Sequence, residues 1–276
     1  MNGMKKPFAL TVAATALVLV YLIPVYWMVA TSLKEPADVF NVPPDIIPTP
    51  ATVQAYLDTV FSDPAIWRGL RSSTIITIPT LVLTLVIGAP AAYGLAKYRY
   101  RVTGGVLFLL LAAQMLPTIS LALPMFAIFS QYGLVDTYAG LIIANVSVTL
   151  PFAVVLLRPY MGAIPGDLLE AARLDGCTAF GAFRRVGLPL VRPGLVMVAT
   201  LTFVMTWGEF VFGLTLATSD DKQPITVVLN RFIASFGTQW TNLMAVSTVI
   251  AIPIIVVFIV LQKHVVAGLT EGGLKD

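Results

Sequence analysis

The 276 residues are 58% hydrophobic and 11% charged, with a mean hydropathy of +0.89 and a formal net charge of +3. An ordinary soluble domain is about 45–50% apolar and about 25% charged, so this chain lacks the charges to coat a water-facing surface and reads as an integral membrane protein. One cysteine, Cys177, excludes a disulfide framework and a four-cysteine metal site, and one histidine, His264, leaves no set for a His-based metal site or a Ser-His-Asp triad.

A helix needs about 20 apolar residues to cross the roughly 30 Å hydrocarbon core. Uncharged runs stand at 7–33, 72–96, 102–135, 137–157, 193–208 and 232–262, the fifth continuing past Glu209 to residue 219. They predict six spans, at about 8–33, 72–96, 105–130, 138–158, 193–217 and 243–263. Six spans put both termini on one side. Lys34, Arg68, Arg71, Lys222 and Arg231 lie on one side, and the other twelve of the 17 basic residues lie on the opposite one. The basic side faces the cytoplasm, so both ends are cytoplasmic. The positive charge is thus a topology signal, and no nucleic-acid patch is read from it.

The first run follows Lys5-Lys6, in the manner of a secretory signal. It is longer than a signal's apolar region of about 7–15 residues and no A-x-A cleavage site follows, so it reads as an uncleaved first helix. The outer segment 34–71 holds Pro36, Pro43, Pro44, Pro48, Pro50 and Pro64, which argues against long helices in its first half. Gln114 lies about 15 Å into its span and Asn145 about 14 Å into the next from the opposite side, at 1.5 Å per residue. Both fall near the midplane and are followed by Pro117 and Pro151. Polar groups at that depth are candidates for a solute path, with helix–helix hydrogen bonding as the other reading. Glu209, the one acid within a span, lies roughly 25 Å past Arg192 and so nearer the outer surface, facing a cavity or a partner. Segment 220–231 is a second outer loop, and Trp240 suits the headgroup level.

The cytoplasmic segment 158–192 reads as two short helices joined by a turn. Pro165 opens the first, and Asp167 precedes Glu170 by three residues, an Asp version of the capping box. Leu168, Leu169, Ala171, Ala172 and Leu174 favour helix, and Gly176 suits the left-handed residue that ends it. Thr178 caps a second helix over 179–186, which is expected to stop before Pro189. The first helix presents Leu168, Ala171, Ala172 and Asp175 on one narrow face. Such a face fits a groove on another protein or lies on lipid headgroups.

Glu170-Ala171-Ala172, then Gly176, Val186 and Leu188-Pro189 follow the spacing E-A-A-x3-G-x9-[IV]-x-L-P. This resembles the loop of ATP-binding-cassette importer membrane subunits, and it falls between the fourth and fifth spans as it does there. Further stretches are similar to the carbohydrate-uptake permeases of the type of the smaller maltose-importer subunit. They include segment 39–61 with Pro43-Pro44 and Tyr56, Ala91-Ala92-Tyr93-Gly94-Leu95-Ala96-Lys97, Gly133-Leu134-Val135-Asp136-Thr137, Gly140-Leu141-Ile142, Trp207-Gly208-Glu209-Phe210 and the tail 262–275. Gly208 stands where that family more often has Asn, and Arg71-Ser72 stands where an Asn-Ser pair is common.

The resemblance implies an all-α integral membrane protein with the type I importer permease fold, one permease domain over 1–276, a coupling loop over 159–192 and a C-terminal tail over 264–276. It implies a bacterial or archaeal cell (inner) membrane. The implied partners are a homologous second permease in a heterodimer, two ATPase subunits that bind ATP and Mg²⁺, and an extracytoplasmic solute-binding protein. Glu170, Ala171, Ala172, Asp175, Gly176, Leu188 and Pro189 would couple to the ATPase, and Gly268, Thr270 and Gly272 of the tail would reach toward it. No G-x-x-x-x-G-K-[ST], H-E-x-x-H or G-x-S-x-G occurs, so the chain is expected to hold no cofactor and catalyse nothing by itself. A stand-alone secondary transporter or channel is the alternative. It calls for inverted repeats or several intramembrane ionisable groups, and the sequence has Glu209 and no repeat. An intramembrane enzyme lacks a nucleophile–base set. The solute that the resemblance implies is a mono- or oligosaccharide, a polyol or a glycerol phosphate, and the sequence pattern does not choose among them.

Overall fold

The computed structural model describes residues 5–97, 102–234 and 237–273. Among the described residues, the regular structure is helical apart from an antiparallel ladder that pairs Ile233 with Thr238 and Ala234 with Gly237. The helices are α1 (Lys5–Ser32), α2 (Pro64–Lys97), α3 (Thr103–Gln114), α4 (Thr118–Gln131), α5 (Tyr138–Ala163), α6 (Gly166–Leu174), α7 (Ala179–Ala182), α8 (Leu188–Leu190), α9 (Arg192–Trp207), α10 (Val211–Leu216), α11 (Ile225–Asn230) and α12 (Trp240–Gly273). Among the described residues, four helices are long and apolar enough to cross a membrane, or up to six if each of two bent pairs, α3 with α4 and the stretch Ala179–Leu190 with α9, is one span.

Two expected spans are broken. The third, expected over 105–130, is α3 and α4 bent by 98°. Pro117 has no N–H and disfavours helix at the residue before it; it sits in an extended conformation (φ −62, ψ 132) and starts α4 instead of continuing α3. At 12 and 14 residues, the two pieces are about 18 and 21 Å long, each short of the hydrocarbon core. The fifth, expected over 193–217, ends as α9 at Trp207 and restarts as α10. Glu209 causes the restart: its carboxylate accepts the N–H groups of Phe212 (2.7 Å) and Gly213 (3.1 Å), which would otherwise be orphans of the helix start. The second span begins eight residues before the expected position 72, at Pro64, where proline suits a first turn. The last helix continues from Trp240 through the expected tail to Gly273. The second outer loop contains α11, a short helix the sequence reading lacks.

By contacts the chain divides into two compact units, Met1–Trp67 with Val228–Ile252, and Arg68–Val227 with Pro253–Asp276. In the first, the Ser32 hydroxyl and the Tyr56 phenol share a 2.7 Å hydrogen bond, and Leu33 O accepts from Thr52 N at 2.8 Å. Val60, Ile66, Ala245 and Val246 are buried there, whereas α1 is exposed from Leu10 through Trp27. A helix that is apolar on every side and exposed over that length is suited to lipid or to another membrane helix.

The second unit holds two apolar clusters. One joins Ala89, Ala92 and Tyr93 of α2 to Ala153, Val154, Leu157 and Met161 of α5 and Met197 and Val198 of α9. The other joins Ile76, Phe129, Leu141, Ala144, Phe212 and Leu216. Tight helix approach is visible at Gly194 of α9, where an added Cβ would lie 2.6 Å from the Tyr160 ring. Along α2, Ser73, Thr77, Thr80 and Thr84 recur at spacings of four and three and are all buried. Thr84 Oγ1 pairs with Thr149 Oγ1 of α5 at 2.8 Å. Among the described residues, the buried hydroxyls of Thr77, Thr80, Thr202 and Thr206 have no hydrogen-bond partner.

Candidate functional site: the 166–190 helices

The segment begins where α5 ends. Lys97, the last residue of α2, donates its Nζ to Gly162 O at 3.4 Å and to Ile164 O. These carbonyls lie beyond the reach of α5's own N–H groups, so the ammonium both satisfies them and complements the helix dipole. Pro165 is extended (ψ 132) and α6 starts at Gly166. The expected capping box is absent: Pro165 occupies the cap position and no side chain bonds there. Asp167 lies instead in the first turn, where a carboxylate favours the positive end of the dipole.

The end of α6 is a complete Schellman motif. Cys177 N donates to Ala172 O at 3.0 Å, Gly176 N donates to Arg173 O at 3.0 Å, and Gly176 takes φ +85. Only glycine adopts that conformation without a Cβ penalty. Thr178 then caps α7, its Oγ1 accepting from Gly181 N at 3.1 Å. The second helix does not stop before Pro189. A π turn over Phe183–Gly187 leads straight into Leu188–Leu190, which places Pro189 in a new first turn where its missing N–H costs little.

One side of this helix pair is anchored and the other is bare. Leu169, Ala172, Ala182 and Phe183 are buried in the cluster with Ala92 and Tyr93, and the Phe183 and Tyr93 rings lie 4.8 Å apart. Glu170, Ala171, Asp175 and Gly176 are exposed, as is Leu168, while Leu188 is half-buried and Pro189 exposed. The expected face of Leu168, Ala171, Ala172 and Asp175 is therefore split, because Ala172 turns inward beside Leu169. Two bare residues belong to the outer face and were not singled out from the sequence: Leu174, 89% exposed, and Phe180, 66% exposed. Their signal is the complement of the Leu169–Ala172 spacing, which marks the anchored side and leaves residues 170, 171 and 174 outside. Burying a side chain of this size on a partner gains about 1.5–3 kcal/mol. Chemically this is a contact surface. It gathers no nucleophile–base pair and, among the described residues, no group of three metal-ligating side chains.

The candidate path residues separate into two places. Asn145, 4% exposed, and Glu209 line one small cavity with Ser73, Thr206 and Pro224. Its volume is about 10 Å³, room for about one water molecule and not for a sugar. Asn145 Nδ2 donates to Leu141 O at 2.9 Å, and Glu209 O accepts from the Thr226 hydroxyl at 2.6 Å. Gln114 is not in this group; it is exposed at the end of α3. Of the tail residues Gly268, Thr270 and Gly272 only the α12 backbone lies within the described part of the structure.

Asp136 of the α4–α5 turn stands at φ 57 and ties that turn to segment 216–222. Its Oδ1 accepts from Ser219 N at 2.9 Å and from the Ser219 hydroxyl at 2.7 Å, and Lys222 Nζ is 3.3 Å from Oδ2. Burial pushes the Asp136 carboxyl up, but Ser219 and Lys222 outweigh it and hold the group below its ordinary value.

The family model described as "Binding-protein-dependent transport system inner membrane component" matches residues 84–271. The diacetylchitobiose uptake system permease protein DasC of Streptomyces coelicolor is 33% identical over 96% of this chain and 95% of its own length. The trehalose transport system permease protein SugB of Mycobacterium tuberculosis is 35% identical over 92% of each. The arabinooligosaccharides transport system permease protein AraQ of Bacillus subtilis is 30% identical over 97% of this chain and 95% of its own. Among solved structures, a chain of a bacterial ABC transporter involved in the import of the acidic polysaccharide alginate superposes with a TM-score of 0.78. It covers 95% of this chain and 98% of that one, at 23% identity, so the likeness is one of fold.

Proposed function

The chain belongs to the binding-protein-dependent transport system inner membrane component family, and from that premise we propose that it imports a carbohydrate, polyol or related solute as one of two membrane subunits of an ATP-driven complex. It is a permease subunit and not an enzyme; ATP hydrolysis belongs to a separate subunit. The carbohydrate class is supported by the relatives named for diacetylchitobiose, trehalose and arabinooligosaccharides.

The proposed assembly is a heterodimer of this chain with a homologous permease, two ATPase subunits that carry ATP and Mg²⁺, and an extracytoplasmic solute-binding protein. The whole chain, 1–276, forms one permease domain with six spans and both termini cytoplasmic, in a bacterial inner membrane. Its basic residues support that orientation. In this reading α3 with α4 counts as one broken span and α9 with α10 as another.

The observation that carries the mechanism is the two-sided character of α6 and the turns that follow it through Phe183. Leu169 and Ala172 root it in the bundle with Phe183, while Leu168, Glu170, Ala171, Leu174 and Phe180 project away. A helix seated in an ATPase groove by its outer face and bolted to α2 and α5 by its inner face moves as a lever. Closure of the ATPase pair would then tip the bundle between inward-open and outward-open states. Glu170 serves as the polar anchor, Ala171 and Asp175 as close-contact positions, Gly176 as the turn and Leu188-Pro189 as the boundary with the fifth span. Ala172 supports the lever from inside. Gly268, Thr270 and Gly272 extend the α12 tail toward the ATPase pair. Gln114, Asn145 and Glu209 remain the proposed polar points of the solute path. Because the cavity beside Asn145 and Glu209 admits only a water-sized occupant, solute passage there requires the bundle to open.

The test is a charge reversal on the anchor. In proteoliposomes holding the complete complex, Glu170→Lys leaves the subunit inserted, permits ATP hydrolysis and abolishes sugar accumulation. Uptake at the unsubstituted rate contradicts the assignment.

A further inference from the structure

The unit built from 1–67 and 228–252 contains two adjoining hollows that neither the lever nor the Asn145–Glu209 cavity uses. The first, about 460 Å³, is lined by Lys34, Glu35, Gln54, Asp58 and Asn242 among others. The second, about 410 Å³, is lined by Val39, Phe40, Gln239 and Trp240. They share Pro36, Thr241 and Asn242. Each volume is in the range of about 300–1,000 Å³ that small-molecule sites occupy.

The polar groups of the first hollow are partly spent and partly open. Lys34 is only 3% exposed, and its Nζ stands 4.8 Å from the centre of the Trp27 ring. Among the described residues its ammonium has no carboxylate within ion-pair distance, although buried charges are ordinarily paired. Gln54 Nε2 donates to both Asp58 oxygens, at 2.7 and 2.8 Å, which fixes the carboxylate and leaves the Gln54 carbonyl as an acceptor. Asn242 Nδ2 donates to Gln239 Oε1 at 3.0 Å, which leaves the Asn242 carbonyl and the Gln239 amide protons over. The second hollow adds an aromatic wall, with Phe40 edge-on to Trp240 at 6.4 Å.

This chemistry selects a ligand class. An anion would meet Glu35 and Asp58, and a cation would meet Lys34. A neutral polyhydroxyl ligand uses both signs, because each hydroxyl donates to a carboxylate or amide carbonyl and accepts from an ammonium or amide N–H. The C–H faces of a sugar ring pack on Trp240, Phe40 and Pro36 while its rim bonds to the polar lining. We propose that the joined hollows form an outer-face subsite for a neutral sugar or oligosaccharide, occupied between release from the binding protein and entry into the membrane path. The inference rests on the importer reading and its orientation.

The experiment uses the complete permease–ATPase complex in nanodiscs, without binding protein, and follows tryptophan emission during titration with trehalose, N,N′-diacetylchitobiose, arabinobiose and maltose. At least one sugar changes the emission saturably; Trp240→Phe removes that change, and Asn242→Ala weakens the midpoint about tenfold, the value of a lost hydrogen-bonding partner. Asp58→Asn keeps the fold and one of the two Gln54 hydrogen bonds and weakens it less. Absence of any saturable change with all four sugars overturns the subsite, as does an unaltered midpoint in Asn242→Ala. Uptake by the same complex with its binding protein separates the two readings. Sugars that are transported yet leave Trp240 silent remove the subsite alone, and sugars that bind at Trp240 yet are never accumulated remove the importer reading alone.

Discussion

Asp136 shows how one side chain serves a backbone conformation and a long-range tie together. Asparagine shares its tolerance of φ 57, so Asp136→Asn keeps the turn and an acceptor for Ser219 while losing the Lys222 ion pair. A loss of about 1 kcal/mol is expected after allowance for partial exposure, and Asp136→Ala should cost more; thermal melting of the detergent-solubilised protein ranks the three. The sign with pH follows from the lowered carboxyl. A group whose folded pKa is depressed stabilises the fold above its unfolded value, about 3.9, and that stabilisation is lost as pH falls through the folded value. The melting gap between the native protein and Asp136→Asn should therefore be full near neutral pH and close in acid. A gap that widens in acid contradicts the ion pair. Gly176 is the second residue-scale case. Its φ of +85 makes Gly176→Ala costly by about 1 kcal/mol through strain at the helix end, not through a clash, since nothing lies within 4 Å of an added Cβ. Gly194→Ala differs in kind: the Tyr160 ring stands in the way, and overpacking of about 1–3 kcal/mol is expected from the same melts.

At the scale of elements, run lengths were legible and breaks were not. Apolar runs of the right length located α1, α2, α5 and α12 because hydrocarbon imposes a minimum length on any crossing helix. The bend at Pro117 and the break at Gly208 escaped because proline and glycine are tolerated in membrane helices whenever neighbours satisfy the freed groups. Whether Glu209 would cap a new helix or project into a path depended on where Phe212 and Gly213 place their N–H groups. In the lever, the capping spacing Asp167–Glu170 lost to Pro165, while Gly176 and Thr178 took the places their backbone chemistry favours. Ala172 turns inward into the cluster that also holds Tyr93, about 80 residues away in sequence, and no local pattern carries that information. The anchored side gives its own prediction. Phe183→Ala removes the ring against Tyr93 at a cost of about 3–5 kcal/mol if the site does not collapse. It should loosen the lever and lower uptake per ATP hydrolysed, with the outer face unchanged. Equal coupling ratios in the variant and the native complex would show that Phe183 transmits nothing.

For the molecule as a whole, the family was legible from one spaced motif and the helical membrane class from apolar composition and run length, because a fixed residue spacing and a minimum crossing length are both written along the chain itself. The solute was not, since recognition is spread over groups brought together from distant segments. The outer hollows join Lys34 and Gln54 to Asn242, and nothing in the intervening chain announces the meeting. The most direct measurement of the central claim is the sidedness and protection of the lever itself. With Cys177→Ser as background, Leu174→Cys is probed by a membrane-impermeant maleimide in sealed vesicles of known orientation. The account predicts labelling from the cytoplasmic face alone in the isolated subunit, and strong protection once the ATPase subunits are bound. Labelling from the outer face, or equal labelling with and without the ATPase, would contradict it.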